Sequence, residues 1–175
     1  MKSSPVRFVA VGLLLSLSLG LSLDTAAQAQ PKPAPAKGAP PKGCVTIAGT
    51  ISGTVASEPG AAQTLIVGTV VGSLEGAVQA TVTSLKPQSD GTIKLELTHS
   101  FVTSEGALLK TEDTAKLIPV PGQPNVFQQT TEYKVTKGTG RFEGAKGTFT
   151  NHGETDLKRG LLTLRYEGKI CGVAD

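Results

Sequence analysis

Residues 162–171 read LTLRYEGKIC, with Leu162, Leu164, Tyr166, Gly168 and Ile170 on one parity and Thr163, Arg165, Glu167, Lys169 and Cys171 on the other. Side chains of an extended chain alternate between two faces, so this stretch predicts a strand with one buried and one wet side. The pattern recurs upstream. Ile93, Leu95, Leu97, His99 and Phe101 oppose Thr92, Lys94, Glu96, Thr98 and Ser100, and Val45, Ile47, Ile51 and Val55 oppose Thr46, Thr50, Ser52 and Thr54. Weaker Thr- and Val-rich candidates occupy 63–73, 76–86, 107–118, 125–137 and 145–157, for eight strands in all.

Turn signals separate them: Glu58-Pro59-Gly60, Ser104-Glu105-Gly106, and the Gly- or Pro-bearing stretches 87–91, 119–124, 138–144 and 157–160. Short connections favour antiparallel neighbours. Nowhere do apolar residues recur at helical spacing for three turns, which argues against a parallel α/β fold. The remaining architectures are a sandwich and a closed barrel. Strands of this number and length suit an all-β, eight-stranded antiparallel up-and-down barrel with its first and last strands adjacent. In such a barrel the start of strand one meets the end of strand eight, where Cys44 and Cys171 lie on the polar parity of their strands. A Cys44–Cys171 disulfide on the outer side of the closing seam is the expectation, and two unpaired thiols the alternative.

The N-terminus reads differently. Lys2 and Arg7 precede an apolar run over 8–23, and Ala27-Gln28-Ala29 follows with small residues at the positions a signal peptidase reads. The run is shorter than the roughly 20 residues a membrane-spanning helix needs. Residues 1–29 are therefore expected to be a signal peptide cleaved after Ala29, with an uncleaved anchor as the rival. The product would be secreted or periplasmic, with no membrane span. Residues 30–43, QPKPAPAKGAPPKG, are expected to form an extended, solvated linker, because proline fixes its own φ and pushes its predecessor toward extended backbone. The domain proper is then 44–175.

The chain of 175 residues carries 17 Lys and Arg against 14 Asp and Glu, a formal net charge of +3. That excess belongs to the leader and linker. Residues 43–175 hold 12 basic and 13 acidic side chains, close to neutrality, with no basic run longer than Lys158-Arg159. A nucleic-acid surface needs a concentrated basic stripe, so nucleic acid is not an expected partner. His152 falls on the exposed parity and His99 on the buried one, which argues against a shared metal ion. No G-x-S-x-G motif or Ser-His-Asp spacing supports hydrolase chemistry.

Residues 135–149, VTKGTGRFEGAKGTF, resemble the G-G-T-G-x-F-x-x-A-x-G hairpin of the dirigent and allene oxide cyclase barrel superfamily. Gly138, Thr139, Gly140, Phe142, Ala145 and Gly147 match, and Lys137 replaces the first glycine of the pattern. Small secreted bacterial proteins of unassigned role carry similar hairpins and a terminal strand ending G-x-I-C, as Gly168 to Cys171 does here. The hairpin is mostly backbone: Gly138, Gly140, Gly144 and Gly147 permit positive φ or close chain approach, and Phe142 is an apolar anchor. Its structural role, a corner that pins barrel register, outweighs a catalytic one. The resemblance implies a barrel around a hydrophobic cavity, often trimeric, that binds, steers or cyclises small apolar molecules without metal or organic cofactor. No motif outside the hairpin aligns this chain's polar residues with the family's active-site acids or arginines.

Parity then selects pocket candidates. With Leu95 and Leu97 inward, His99 and Phe101 follow, and the more apolar set of the strand from 125 is Phe127, Gln129, Thr131, Tyr133 and Val135. Asn151 shares parity with Phe149. A three-residue turn at 104–106 would put Asp113 opposite Leu97, Thr111 opposite His99, Phe101 opposite Leu109 and Ile93 opposite Leu117. The expected ligand pocket is His99, Phe101, Gln129, Tyr133 and Asn151. His99, Tyr133 and Asp113 are the catalytic candidates, each weighed against an ordinary hydrogen-bonded core or rim residue. The preferred reading is a non-enzymatic exported barrel, either a binder of small apolar ligands or a structural domain. The alternative is a cofactor-free isomerase or cyclase, or dirigent-like steering of a hydrophobic substrate. Interior volume separates them, because a ligand site needs roughly 300 Å³ with convergent polar groups.

Overall fold

The computed structural model describes residues 43–57 and 63–174. The expected signal peptide, its cleavage site, the linker up to residue 42 and the Glu58-Pro59-Gly60 turn lie outside the described residues. The described chain forms β1 Gly43–Val55, β2 Thr64–Gly72, β3 Gly76–Pro87, β4 Ile93–Thr103, β5 Leu108–Pro119, β6 Val126–Gly138, β7 Lys146–Asp156 and β8 Leu161–Val173. Each strand pairs antiparallel with its neighbour in sequence, and β8 returns to β1, so the sheet is a closed up-and-down barrel. A 3₁₀ turn at Gly140–Phe142 sits in the β6–β7 connection. Among the described residues no helix is long and apolar enough to cross a membrane.

Register follows the alternation. Leu97 pairs with Asp113, His99 with Thr111, Phe101 with Leu109 and Ile93 with Leu117, as a short turn after β4 requires. At the seam Cys44 pairs with Cys171, and the two form a disulfide near the barrel exterior, where Cys44 is exposed and Cys171 half-buried.

Eight strands leave an interior that side chains must fill. Phe101, Tyr133, Phe149 and Tyr166 supply most of that volume, packed ring to ring, with Tyr133 stacked on Phe149 at a centroid distance of 4.3 Å. Rings of this size need empty space on the neighbouring strand. Gly49 lies opposite Tyr166 and Gly168 opposite Phe149. A Cβ on Gly49 would come within 2.6 Å of the Tyr166 hydroxyl and 2.0 Å of the Val71 carbonyl, and one on Gly168 within 2.4 Å of Phe149 Cβ.

The two ends differ. Where the chain enters at Gly43, the barrel is plugged: Leu74 from the β2–β3 turn, Ala107, and Phe142 and Ala145 from the β6–β7 connection are buried there. Arg141 Nη2 donates to Ser73 O at 3.0 Å and Ala174 N to Arg141 O at 2.9 Å, fastening the plug. The opposite end, at the 87–93, 119–126 and 156–161 connections, is the more open mouth, and its inward residues Ile66, Val82, Ile93 and Phe127 are half-buried. The core is correspondingly two clusters. One runs from the plug along β1 and β8, and the other, Leu95, Leu97, Ala115 and Leu117, sits on β4 and β5 toward the mouth.

Two outcomes follow from the seam and the glycine contacts. Cys44→Ser/Cys171→Ser reopens a sequence separation of 127, so chemical denaturation should show a loss on the order of 4 kcal/mol in the chain-entropy description. Gly49→Ala should cost about 1–3 kcal/mol by overpacking under Tyr166, and unchanged stability would show that the ring is not held there.

Candidate functional site

Inside the barrel, between the two apolar clusters, the side chains turn polar. Diagonal neighbours on the inner faces of β4 and β5 bring His99 Nδ1 to 2.6 Å from Asp113 Oδ2. Asp113's side chain is fully buried and His99's is 11% exposed. A carboxylate only accepts, so Nδ1 carries the proton and Nε2 is the ring nitrogen left for another partner. The His99 ring stacks on Phe101 at 5.7 Å and meets Tyr133 edge-on at 5.0 Å.

Tyr133 stands opposite Asp113 on β6, and its hydroxyl is hydrogen-bonded by Asn151 Nδ2 from β7. Nearer the mouth a second chain of bonds runs across β6 and β7. Thr155 Oγ1 donates to Gln129 Oε1 at 2.6 Å, and Gln129 Nε2 donates to Thr131 Oγ1 at 3.0 Å. Three buried oxygens face no hydrogen-bond partner: Thr111 Oγ1, Asp113 Oδ1 and Asn151 Oδ1.

A cavity of about 20 Å³ lies in the seam between the clusters, lined by Ile51, Gly53, Leu97, His99, Gln129 and Tyr133 among others. That is room for one water molecule. Larger, solvent-open hollows lie elsewhere: one of about 790 Å³ over β3–β7, whose lining includes Asp113 and Tyr133 beside Thr98, Glu112, Glu132 and Lys134, one of about 510 Å³ over β3–β6 around Glu96 and Lys116, and one of about 530 Å³ around Thr50, His152 and Arg165.

The structure thus brings His99, Asp113 and Tyr133 into one cluster. Gln129 lines the same cavity, Asn151 reaches it through the Tyr133 hydroxyl, and Phe101 backs the imidazole. Sequence reasoning did not single out Thr155, which shares parity with Asn151, nor the cavity walls on β1, β2 and β3. Among the described residues no three His, Cys, Asp or Glu side chains gather as a metal site would require. Chemically the cluster can orient an imidazole through a carboxylate and hold a phenol protonated. Burial first, then the charge of Asp113, pushes the Tyr133 phenol well above its ordinary range, against hydrogen bonds from Asn151 and Thr131.

No protein-family model matches the sequence, and no curated protein matches it. Among solved structures the chain is similar to a pterocarpan synthase dirigent protein, at 16% identity over 85% of this chain and 99% of that one, with a TM-score of 0.33.

The sign of the Tyr133 shift fixes a pH dependence. Raised in the folded state, the phenol keeps its proton there after the unfolded chain has released it, so its contribution is complete below about pH 10 and declines as pH rises further. The thermal midpoint should fall above that pH, and Tyr133→Phe should make the fall shallower. Part of it should remain, because burial raises Tyr166 as well. An identical slope in Tyr133→Phe would contradict the assignment.

Proposed function

We propose that the chain is an exported, non-enzymatic barrel whose role is structural. The cavity of about 20 Å³ carries this reading, since pockets for drug-sized ligands start at roughly 300 Å³. Export is supported by the leader at 1–29, with its small residues at 27 and 29, and by a seam disulfide of a kind that persists in oxidising compartments. The hairpin over 135–149 supports kinship in architecture with dirigent-like barrels, without their chemistry.

A second reading rests on a specific observation, the unpartnered oxygens of Thr111, Asp113 and Asn151. A buried polar atom without a partner costs about 1–3 kcal/mol, and a ligand with one hydrogen-bonding end would relieve that cost. Such a small apolar ligand would part the two core clusters and meet His99, Phe101, Gln129, Tyr133 and Asn151. The catalytic alternative, a cofactor-free isomerase or cyclase using His99, Tyr133 and Asp113, shares this site and further requires a substrate atom within reach of His99 Nε2.

Native mass spectrometry of protein recovered from its own source separates these. The structural reading expects a chain beginning at Gln30, oxidised at both cysteines and free of small molecules. A co-purifying small molecule would transfer the reading to the ligand arm, and a chain retaining residues 1–29 would remove cleaved export.

A further inference from the structure

Charge is absent from one wall of the barrel. Residues 43–85 hold two charged side chains, Glu58 and Glu75, and both lie in connections between strands. β1 and β2 have no charged residue, and β3 has only Lys86, at its mouth end. The neighbouring half of β4 turns Thr98, Ser100 and Val102 outward, each paired with an outward residue of β3. The remaining strands differ: each of β5, β6, β7 and β8 presents exposed side chains of both signs, from Lys110 and Glu112 on β5 to Arg165 and Glu167 on β8.

Exposed apolar side chains collect on the same wall. Val71, at 57% the most exposed large hydrophobic among the described residues, follows Thr69 on the outward face of β2, and the outward Leu65 and Val67 of that strand are half-buried. Cross-strand rows extend the surface to both sides. Val102 pairs with Ala77, which pairs with Thr69, and Leu161 pairs with Thr54, which pairs with Val67. Register thus joins these residues into one surface from β4 across β3, β2 and β1 to the start of β8. It runs the length of the barrel, from Val71 and Val102 near the plugged end to Leu161 at the mouth.

We infer that this wall is the contact face of a two-fold dimer of the chain. Interfaces between identical subunits are depleted of charge and richer in apolar area than the rest of a protein surface. The choice of partner follows from the other walls. If this wall met any other face of a second copy, charges of β5–β8 would be buried against a surface that offers them no counter-ion, a cost that grows with each charge left unpaired. The same wall on the second copy imposes no such cost, and contact of one patch with itself closes as a two-fold pair, not as the trimer that the hairpin resemblance implies. At roughly 4.8 Å per strand and 3.3 Å per residue, four strands over the nine residues of β2 present about 550 Å² on each partner. The pair therefore reaches the roughly 1,000 Å² at which specific interfaces begin, and its dissociation constant should be on the order of micromolar. The barrel interior takes no part, so the inference stands apart from whether that interior takes a ligand.

The test is sedimentation equilibrium across the micromolar range, using the full chain as its producing cell yields it and variants with the same N-terminus. The wild type should pass from monomer to dimer as its concentration rises. Val71→Lys, Val71→Glu and Val102→Lys should each dissociate at least tenfold more readily. Both positions are exposed in the single barrel, so unchanged thermal midpoints at low concentration should show that these variants fold. Mixed in equal amounts, Val71→Lys and Val71→Glu should associate more tightly than either alone, because opposite charges then face each other across the two-fold. Ile118→Lys, on the outward face of β5, should dimerise as wild type, and loss of its dimer would place the contact on another wall and overturn the inference. A wild type that stays monomeric, alone or by capturing a different protein, also overturns it, as does a trimer. So does a Val71→Lys chain that dimerises like wild type, or a mixture no tighter than its parts.

Discussion

Closure of the β1–β8 seam is the constraint on which the rest of this structure depends. An open sheet would leave the edge amides and carbonyls of β1 and β8 unpaired, a cost in stability and an invitation to aggregate. Pairing Cys44 with Cys171 on that seam also shortens the unfolded chain's reach. Once closed with eight strands, the interior has a set width, and every inward side chain must be chosen against the one across from it. Gly49 beneath Tyr166 and Gly168 beside Phe149 are consequences of that width.

What fills the interior is an unusual compromise. Aromatic rings occupy the plugged half and aliphatic residues line β4 and β5, but His99, Asp113, Gln129, Tyr133 and Asn151 occupy the level between them. Aliphatic packing of the same volume would be at least as stable as a buried carboxylate with one oxygen unpartnered. The cluster's contribution is positional: it orients the His99 imidazole and the Tyr133 hydroxyl around a void large enough for one water. That small volume favours a structural barrel over a container.

The two ends of the barrel are closed differently. Its plugged end buries Leu74 and Phe142 and is fastened by Arg141, while exposed aliphatic residues occur at both ends, Val71 and Val102 at the plugged one and Leu85 and Ile118 at the mouth. In a closed sheet the outward side chains of neighbouring strands align in rows, so a lysine on β4 and another on β5 reinforce each other only because register puts them side by side. A net charge near zero conceals that arrangement.

Strand count, order and register were legible from the sequence because half-burial imposes a period of two, and short turns leave each strand no neighbour but the next. The pairing of His99 with Thr111, and hence the approach of Asp113 to His99, followed from turn length between Ser104 and Gly106. The bonds through Thr155 and Thr131, the plug formed by Leu74 and the apolar mouth were not legible. Alternation says which side of a strand a residue takes, but not how deep in the barrel it sits. The residues themselves thus determined an all-β chain of short-connected antiparallel strands, because alternation and turn chemistry are local. Only the tertiary structure decided that the sheet closes at the β1–β8 seam, that the interior is filled and that one end is plugged and the other open, because these arise from strands far apart in sequence meeting at the same level.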